Sequence, residues 1–170
     1  MAVKLSPARR AFWKRYQPSS CRDALHKCKE HAREVLNLSV ERIADLMGLP
    51  DHWNLYKWIE SGRMPFVLLP LYESVCGINL ASRWMAATQG RLLVDMPTGR
   101  GADTADLVQL GGGFQQAVQL LSDFYKANGG ADAAPVLDAL RAHLQSVAFH
   151  HANVAGFAEP ELPFNQTQPE

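Results

Sequence analysis

The feature that most constrains this chain is an apolar pattern that a glycine interrupts. Ile43, Leu46 and Met47 recur at the three- and four-residue spacing of a buried helix face. Gly48 follows at the point where a helix commonly ends in a left-handed conformation, which glycine adopts without a steric cost. The pattern therefore predicts a short helix over 39–47 that stops at this glycine.

A second short helix is predicted directly after it, over about 52–60. The Pro50–Asp51 pair is a helix-start signal, because a carboxylate can accept hydrogen bonds from the free N–H groups of a first turn. Leu55, Trp58 and Ile59 then share one face. Two short helices joined in this way form a helix-turn-helix. Leu55 lies one residue later than such motifs usually place it, so we expect a longer turn.

The other face of the second helix carries side chains suited to the major groove of DNA. Asn54 can pair with adenine through two hydrogen bonds, and Lys57 can reach guanine or a phosphate. Arg63, just past the helix, suits a phosphate of the DNA backbone. The predicted DNA contacts of this segment are His52, Trp53, Asn54, Tyr56, Lys57, Arg63 and Arg42. A second interpretation stays open, in which the aromatic residues here are ordinary core residues of a helical domain.

The charge distribution also favours nucleic acid, although the net charge is zero. Residues 1–37 hold nine Lys or Arg against three Asp or Glu, a balance of +6, so the remainder sums to −6. A basic end can face phosphates while an acidic part stays away from them. The predicted phosphate contacts in this segment are Arg9, Arg10, Lys14 and Arg15. Phe12, Trp13 and Tyr16 could pack it onto the domain, and a solvated helix face is the alternative role for these charges.

Several segments resemble phage-type transcriptional regulators of the CII-like group. They are Arg22–Leu25, Val40–Leu49, Leu55–Trp58, Gly62–Pro65 and Leu69–Gly77. The resemblance covers residues 20–95. It implies an operator- or promoter-binding protein that acts as an oligomer, and it does not identify the controlled gene or whether the effect is activation or repression.

Helix-start and helix-stop residues and glycine- or proline-rich turns along the chain predict its organisation. We expect a basic N-terminal arm at 1–19, a helix-turn-helix domain at 20–96, a linker at 97–103, a C-terminal helical hairpin at 104–158 and a disordered tail at 159–170. Within the domain, helices are expected over 21–36, 67–75 and 80–87. Residues 91–94 could form a short strand.

The predicted hairpin has an apolar stripe on each of its helices, over 104–127 and 134–154. Two helices alone cannot bury such stripes, so the hairpin must pack on a second subunit or on the N-terminal domain. We favour oligomerisation and keep intrachain packing as the alternative. Three consecutive glycines at 111–113 predict a kink or break in the first helix.

Enzyme and metal chemistry have little support in the sequence. The glycines at 111–113 are not preceded by a clear strand or followed by a Lys-Ser or Lys-Thr pair, so they are not a phosphate loop. The candidate metal ligands are His143, His150 and His151 in the hairpin and Cys21, Cys28 and His31 in the first long helix. The histidines of the hairpin lack the accompanying Glu pattern of a zinc enzyme, so we favour solvent-exposed or interface histidines. Three ligands from one helix give strained tetrahedral geometry, so we favour buried thiols in the first long helix. We expect no catalytic residues, metal or cofactor.

The fold class predicted is therefore all-α, with a helix-turn-helix DNA-binding domain followed by a helical hairpin. An odd count of three cysteines argues against a disulfide scaffold, and no apolar run is long enough to cross a membrane. The N-terminal residues lack the apolar core of a secretion signal. We expect a cytoplasmic regulator of phage or prophage origin that binds double-stranded DNA as a homo-oligomer. The alternatives are a helical protein-interaction module without DNA affinity and, less favoured, a metal-binding protein.

Overall fold

A computed structural model describes residues 5–95, 101–128 and 130–158. All regular structure within these ranges is helical, which confirms the all-α prediction. The helices are α1 (Pro7–Arg15), α2 (Cys21–Leu36), α3 (Val40–Leu46), α4 (Trp53–Ser61), a 3₁₀ turn (Phe66–Leu68), α5 (Leu69–Cys76), α6 (Leu80–Thr88), α7 (Thr104–Lys126) and α8 (Ala133–Ala158). The chain divides into two compact units, Met1–Leu93 and Val94–Glu170, here called unit 1 and unit 2. Linker residues 97–100 and the predicted tail at 159–170 lie outside the described residues.

Two predictions of local structure are wrong. Residues 91–95 have no regular structure, because four residues without a neighbouring strand have no partner for their backbone hydrogen bonds. The glycines at 111–113 lie inside α7, which continues through them without a break. Glycine lowers the stability of a helix by about 1 kcal/mol relative to alanine, and a helix of 23 residues tolerates that cost.

Unit 1 is organised around α2, whose central residues are fully buried. Leu25 and Cys28 of α2 have no exposed surface, and neither has Tyr72 of α5. The Tyr72 hydroxyl donates a 2.8 Å hydrogen bond to the Leu25 carbonyl, which satisfies two polar groups inside the apolar core. α4, α5 and α6 all contact α2. This arrangement gives α4 a rigid support.

The basic N-terminal segment contains a helix that is part of unit 1. Ser6 caps α1, and Trp13 on its inner face is buried. The Trp13 indole N–H donates to Glu34 of α2 at 3.1 Å, and Arg83 of α6 donates to the Tyr16 carbonyl at 2.8 Å. These contacts hold residues 7–16 against the rest of unit 1.

In unit 2, α7 and α8 pack against each other in opposite directions. The start of α7 lies beside the end of α8, where the Ala102 N–H donates to the Asn153 side chain at 3.0 Å. A capping box formed by Asp103 and Asp106 fixes the first turn of α7. Ala117 and Val136 are buried between the helices. No helix among the described residues is long and apolar enough to pass through a lipid bilayer.

Candidate nucleic-acid interface

The connection between α3 and α4 is a six-residue turn with two defined ends. Ser39 caps α3 by accepting from the Arg42 N–H at 3.3 Å. At the end of α3, Gly48 has a φ of 69°, the left-handed conformation that its position predicts. Asp51 then accepts hydrogen bonds from the N–H groups of Trp53 and Asn54, at 2.8 and 3.2 Å, so the predicted helix-start role of this carboxylate is confirmed.

Two apolar side chains fix the rotation of α4 about its own axis. Leu55 and Ile59 are fully buried. Ile43 and Ala44 of α3 have at most 2% of their surface exposed. Trp58 is half-buried and packs against the same core. Leu46 was expected on the buried face of α3 but is 47% exposed, because the buried face is centred on Val40, Ile43, Ala44 and Met47 and Leu46 lies at its edge.

The side of α4 opposite Leu55 and Ile59 carries the predicted contact residues. Asn54 and Lys57 are exposed, and Trp53 is 64% exposed. His52 and Tyr56 are half-buried, and their rings stand beside Trp53. The ring centroids of His52 and Trp53 are 5.0 Å apart, and those of Trp53 and Tyr56 are 6.3 Å apart. The three rings therefore form one cluster at the start of α4, in which Trp53 is exposed and Tyr56 also packs against the core.

Tyr56 is held in place by an acidic neighbour from α3. Its hydroxyl donates to Glu41 at 3.3 Å. Partial burial, together with the charge of Glu41, raises the pKa of Tyr56. Hydrogen bonds from its own backbone N–H and from Ser39 lower the pKa of Glu41, so this carboxylate is ionised at neutral pH. A negative charge thus lies at one edge of the candidate interface, and a ligand carrying phosphates must avoid it.

Cations surround the exposed side of α4 unevenly. Arg42 is 3.8 Å from Asp45 in an exposed pair that stabilises little and leaves the guanidinium accessible. Arg63 is exposed beyond the end of α4. Sequence reasoning did not single out Lys29 and Arg33 of α2, which line a groove of about 480 Å³ together with Tyr56 and Glu41. They were counted in the basic N-terminal segment, and only the folded structure brings them to the start of α4.

At its other end α4 is tied to α2 by ion pairs. Glu60 accepts from Arg22 at 3.2 Å and lies 3.3 Å from the His26 ring. Burial opposes ionisation of Glu60, but these cationic neighbours lower its pKa overall. These contacts anchor the C-terminal turn of α4 on α2, whereas Trp53 and Asn54 of its first turn are exposed and open to a ligand.

The four predicted phosphate contacts of α1 do not share the surface of α4. α1 lies along the face of α2 that carries Asp23 and Glu34, whereas α4 contacts the face that carries Arg22 and His26. Arg9 is engaged within the protein: its guanidinium donates to Glu34 at 2.8 Å and stacks on the Phe12 and Trp13 rings, 4.5 and 4.9 Å from their centroids. Arg10, Lys14 and Arg15 are exposed.

The sulfur and imidazole groups of α2 have structural partners. The buried Cys28 thiol donates to the Ile78 carbonyl at 3.6 Å, and burial raises its pKa, so it is not a thiolate at neutral pH. The His31 ring is 2.8 Å from the Cys76 carbonyl. Over the part of the chain that the structure describes, no three His, Cys, Asp or Glu side chains are placed to hold a metal ion.

Comparisons with known proteins found no relative of this chain. No protein-family model, curated protein sequence or solved structure matches this chain. The residues of α3 and α4, with their exposure and their partners, are therefore the features that indicate a function.

Proposed function

We propose that this chain is a sequence-specific DNA-binding transcriptional regulator of the phage type that its sequence resembles. In this proposal α3 and α4 are the helix-turn-helix, and α4 enters the major groove of double-stranded DNA. One observation supports it most: burial of Leu55 and Ile59 points Asn54 and Lys57 outward together, on the exposed side of α4. A helix presented in this way can approach base edges.

The chemistry of the exposed first turn of α4 suits base reading. The Asn54 amide matches the donor and acceptor of adenine, and the Lys57 ammonium matches the acceptors of guanine. Trp53 offers an apolar surface next to them, which fits the methyl group of thymine. His52 and Tyr56 hold the Trp53 ring in position through the aromatic cluster.

Phosphate contacts would come from cations around this turn. Arg42 and Arg63 flank α4 in the sequence and are exposed, whereas Lys29 and Arg33 share the adjoining groove with Glu41. Because the ionised Glu41 repels phosphate, the duplex would pass on the side of α4 that faces away from this carboxylate. Affinity should then fall steeply with salt, as it does when counterions are released from DNA.

A helical protein-interaction module is the second candidate, and a separate observation favours it. Phe66 and Val67, in the 3₁₀ turn after α4, are large apolar residues that the fold leaves open, with Val67 82% exposed. An apolar pair of this kind can dock a protein partner. If it does so without DNA, changes at these residues will abolish partner binding while changes on α4 have no effect.

The test compares DNA binding of the full chain with that of three single-residue variants. Lys57→Ala and Asn54→Ala should each weaken binding to fragments of DNA that flank its own gene by about 1–3 kcal/mol, roughly 5- to 150-fold. Lys126→Ala removes the same charge from an exposed lysine of α7 and should have little effect. Fluorescence anisotropy across a salt series gives both affinity and salt slope. Binding to no fragment, or equal losses for Lys57→Ala and Lys126→Ala, would contradict the proposal.

A further inference from the structure

Unit 2 has an apolar face that its own two helices leave open. On both helices the residues of this face are spaced alternately by three and by four positions. The first step is four positions on α7 and three positions on α8. The α7 residues are Leu107, Gly111, Phe114, Val118, Leu121 and Tyr125, and the α8 residues are Leu137, Leu140, Leu144, Val147, His151 and Val154. We call this set the outer face. Its spacing is that of a helix surface that packs against further helices along its whole length.

The two stripes lie on the same side of the helix pair. On α7 the stripe comes one residue after the inward-facing Gly113 and Ala117, and on α8 it comes one residue after Val136 and His143. One residue is a rotation of about 100° around each helix. Because α7 and α8 run in opposite directions, the two rotations are of opposite sense when seen from one end. They therefore bring both stripes to one continuous surface.

The opposite side of the helix pair differs in character. There α7 carries Gln109, Gln116 and Gln119. On α8 the Gln145 amide donates to Asp95 at 3.4 Å, and Phe149 is buried. One side of unit 2 is thus polar or already covered by its own chain, and only the outer face is both apolar and open.

We propose that a second copy of this chain covers the outer face, so that two helix pairs form a four-helix bundle. Eight of its side chains, all except Gly111, Leu121, Leu140 and His151, are between 39% and 70% exposed. At about half of roughly 200 Å² each, they present on the order of 800 Å², which is the area that each partner contributes to a stable protein dimer. The surface is therefore large enough for a second copy without a contribution from any other element.

The composition of the outer face also suits self-pairing. It contains no Asp, Glu, Lys or Arg, so two identical copies can meet without placing like charges against each other. Gly111 lies in the middle of the α7 stripe, and no other part of the chain comes within 4 Å of the position a Cβ would take. That space can receive a bulky side chain from the second copy. This assembly is independent of DNA binding, because none of its residues belongs to α3 or α4.

Two glycines of α7 provide a matched test on the full chain. Gly111→Glu places a charge in the outer face, whereas Gly112→Glu places the same charge one residue later, on the polar side. Both positions are open, and both changes replace glycine with a better helix former, so weakening of the helix does not explain a difference between them. Leu137→Glu makes the corresponding change on α8.

The mass in solution is measured by light scattering from about 1 to about 100 µM, a range over which a dimer of moderate affinity dissociates. The wild-type chain and Gly112→Glu should show twice 18.8 kDa at the upper end. Gly111→Glu and Leu137→Glu should raise the dissociation constant about 30-fold or more, because each buries an unpaired charge. A wild-type mass of 18.8 kDa at every concentration would overturn the proposal, since the face would then be covered within one chain or by another protein. Equal behaviour of Gly111→Glu and Gly112→Glu would overturn the choice of face.

Discussion

Unit 1 and unit 2 are both helical, but they bury their apolar side chains to different extents. Unit 1 has six elements around α2 and encloses large residues such as Leu25, Leu55 and Tyr72 completely. Unit 2 has two long helices, and its large apolar residues, such as Phe114 and Leu137, stay mostly open. The difference indicates that unit 1 can hold a binding surface rigid by itself, whereas unit 2 needs a partner to complete its core.

The largest expected effect is on the free energy of unfolding, and it distinguishes the two units when one leucine is replaced in each. Leu25→Ala removes a fully buried side chain from unit 1 and should lower its free energy of unfolding by about 2–5 kcal/mol. Leu137→Ala removes an exposed side chain from unit 2 and should leave unit 1 unchanged. Tryptophan fluorescence during urea unfolding measures this directly, because all four tryptophans (Trp13, Trp53, Trp58 and Trp84) lie in unit 1. If both variants lowered the free energy of unfolding of unit 1 equally, the difference in burial between the two units would be contradicted.

Glycine-to-alanine substitutions should have opposite effects in the two units. Gly112→Ala, in open space inside α7, should stabilise unit 2 by about 1 kcal/mol because alanine favours the helix. Gly48→Ala should destabilise unit 1 by about 1–2 kcal/mol, because its φ of 69° is strained for any residue with a Cβ. Tryptophan fluorescence reports on unit 1 alone, whereas circular dichroism at the helix band reports on both units, so a dichroism transition that the fluorescence does not follow belongs to unit 2. Stabilisation by both substitutions would show that the turn after α3 does not require glycine.

The smallest effect concerns the attachment of α1 and depends on pH. The hydrogen bond from Arg9 outweighs the opposing effect of burial and lowers the pKa of Glu34 below its usual value. A carboxylate of this kind stabilises the fold above the pKa it has when unfolded, about 4.3, and this contribution is lost as the pH falls through its folded value. Wild-type protein should therefore be more stable than Glu34→Gln at pH 7, and the difference should shrink by pH 3. A difference that is constant with pH would contradict this role for Glu34.

Local sequence patterns predicted α2 to α6 of unit 1 because their signals are local, whereas α1 was not predicted. The start and end of α2 and the cap at Asp51 follow from side chains that bind backbone within a few residues. Leu46 was placed wrongly because the three- and four-residue spacing fits several neighbouring positions and does not show which of them lies at the edge of the buried face. The strand at 91–94 was wrong for a related reason, since a strand depends on a partner that no local pattern specifies.

The candidate interface was predictable only in part. The spacing of Leu55 and Ile59 determines which residues of α4 face outward, and that information is local. The groove formed by Lys29 and Arg33 next to Tyr56 depends on how α2 packs beside α4. The engagement of Arg9 by Glu34, which is 25 residues away, likewise depends on tertiary packing. Charge counts along the chain therefore identify a basic segment without showing which of its cations remain available.

The most direct measurement of DNA reading by α4 is selection of bound fragments from a library of genomic DNA, followed by sequencing. If α4 reads the major groove and two copies are joined through unit 2, the selected fragments should share a short motif that occurs twice, with the two centres about 34 Å or a multiple of it apart. Lys57→Ala should reduce enrichment of that motif, whereas Gly111→Glu should relax the requirement for two copies. Recovered fragments that resemble each other no more than the starting library would contradict sequence-specific DNA binding by this protein.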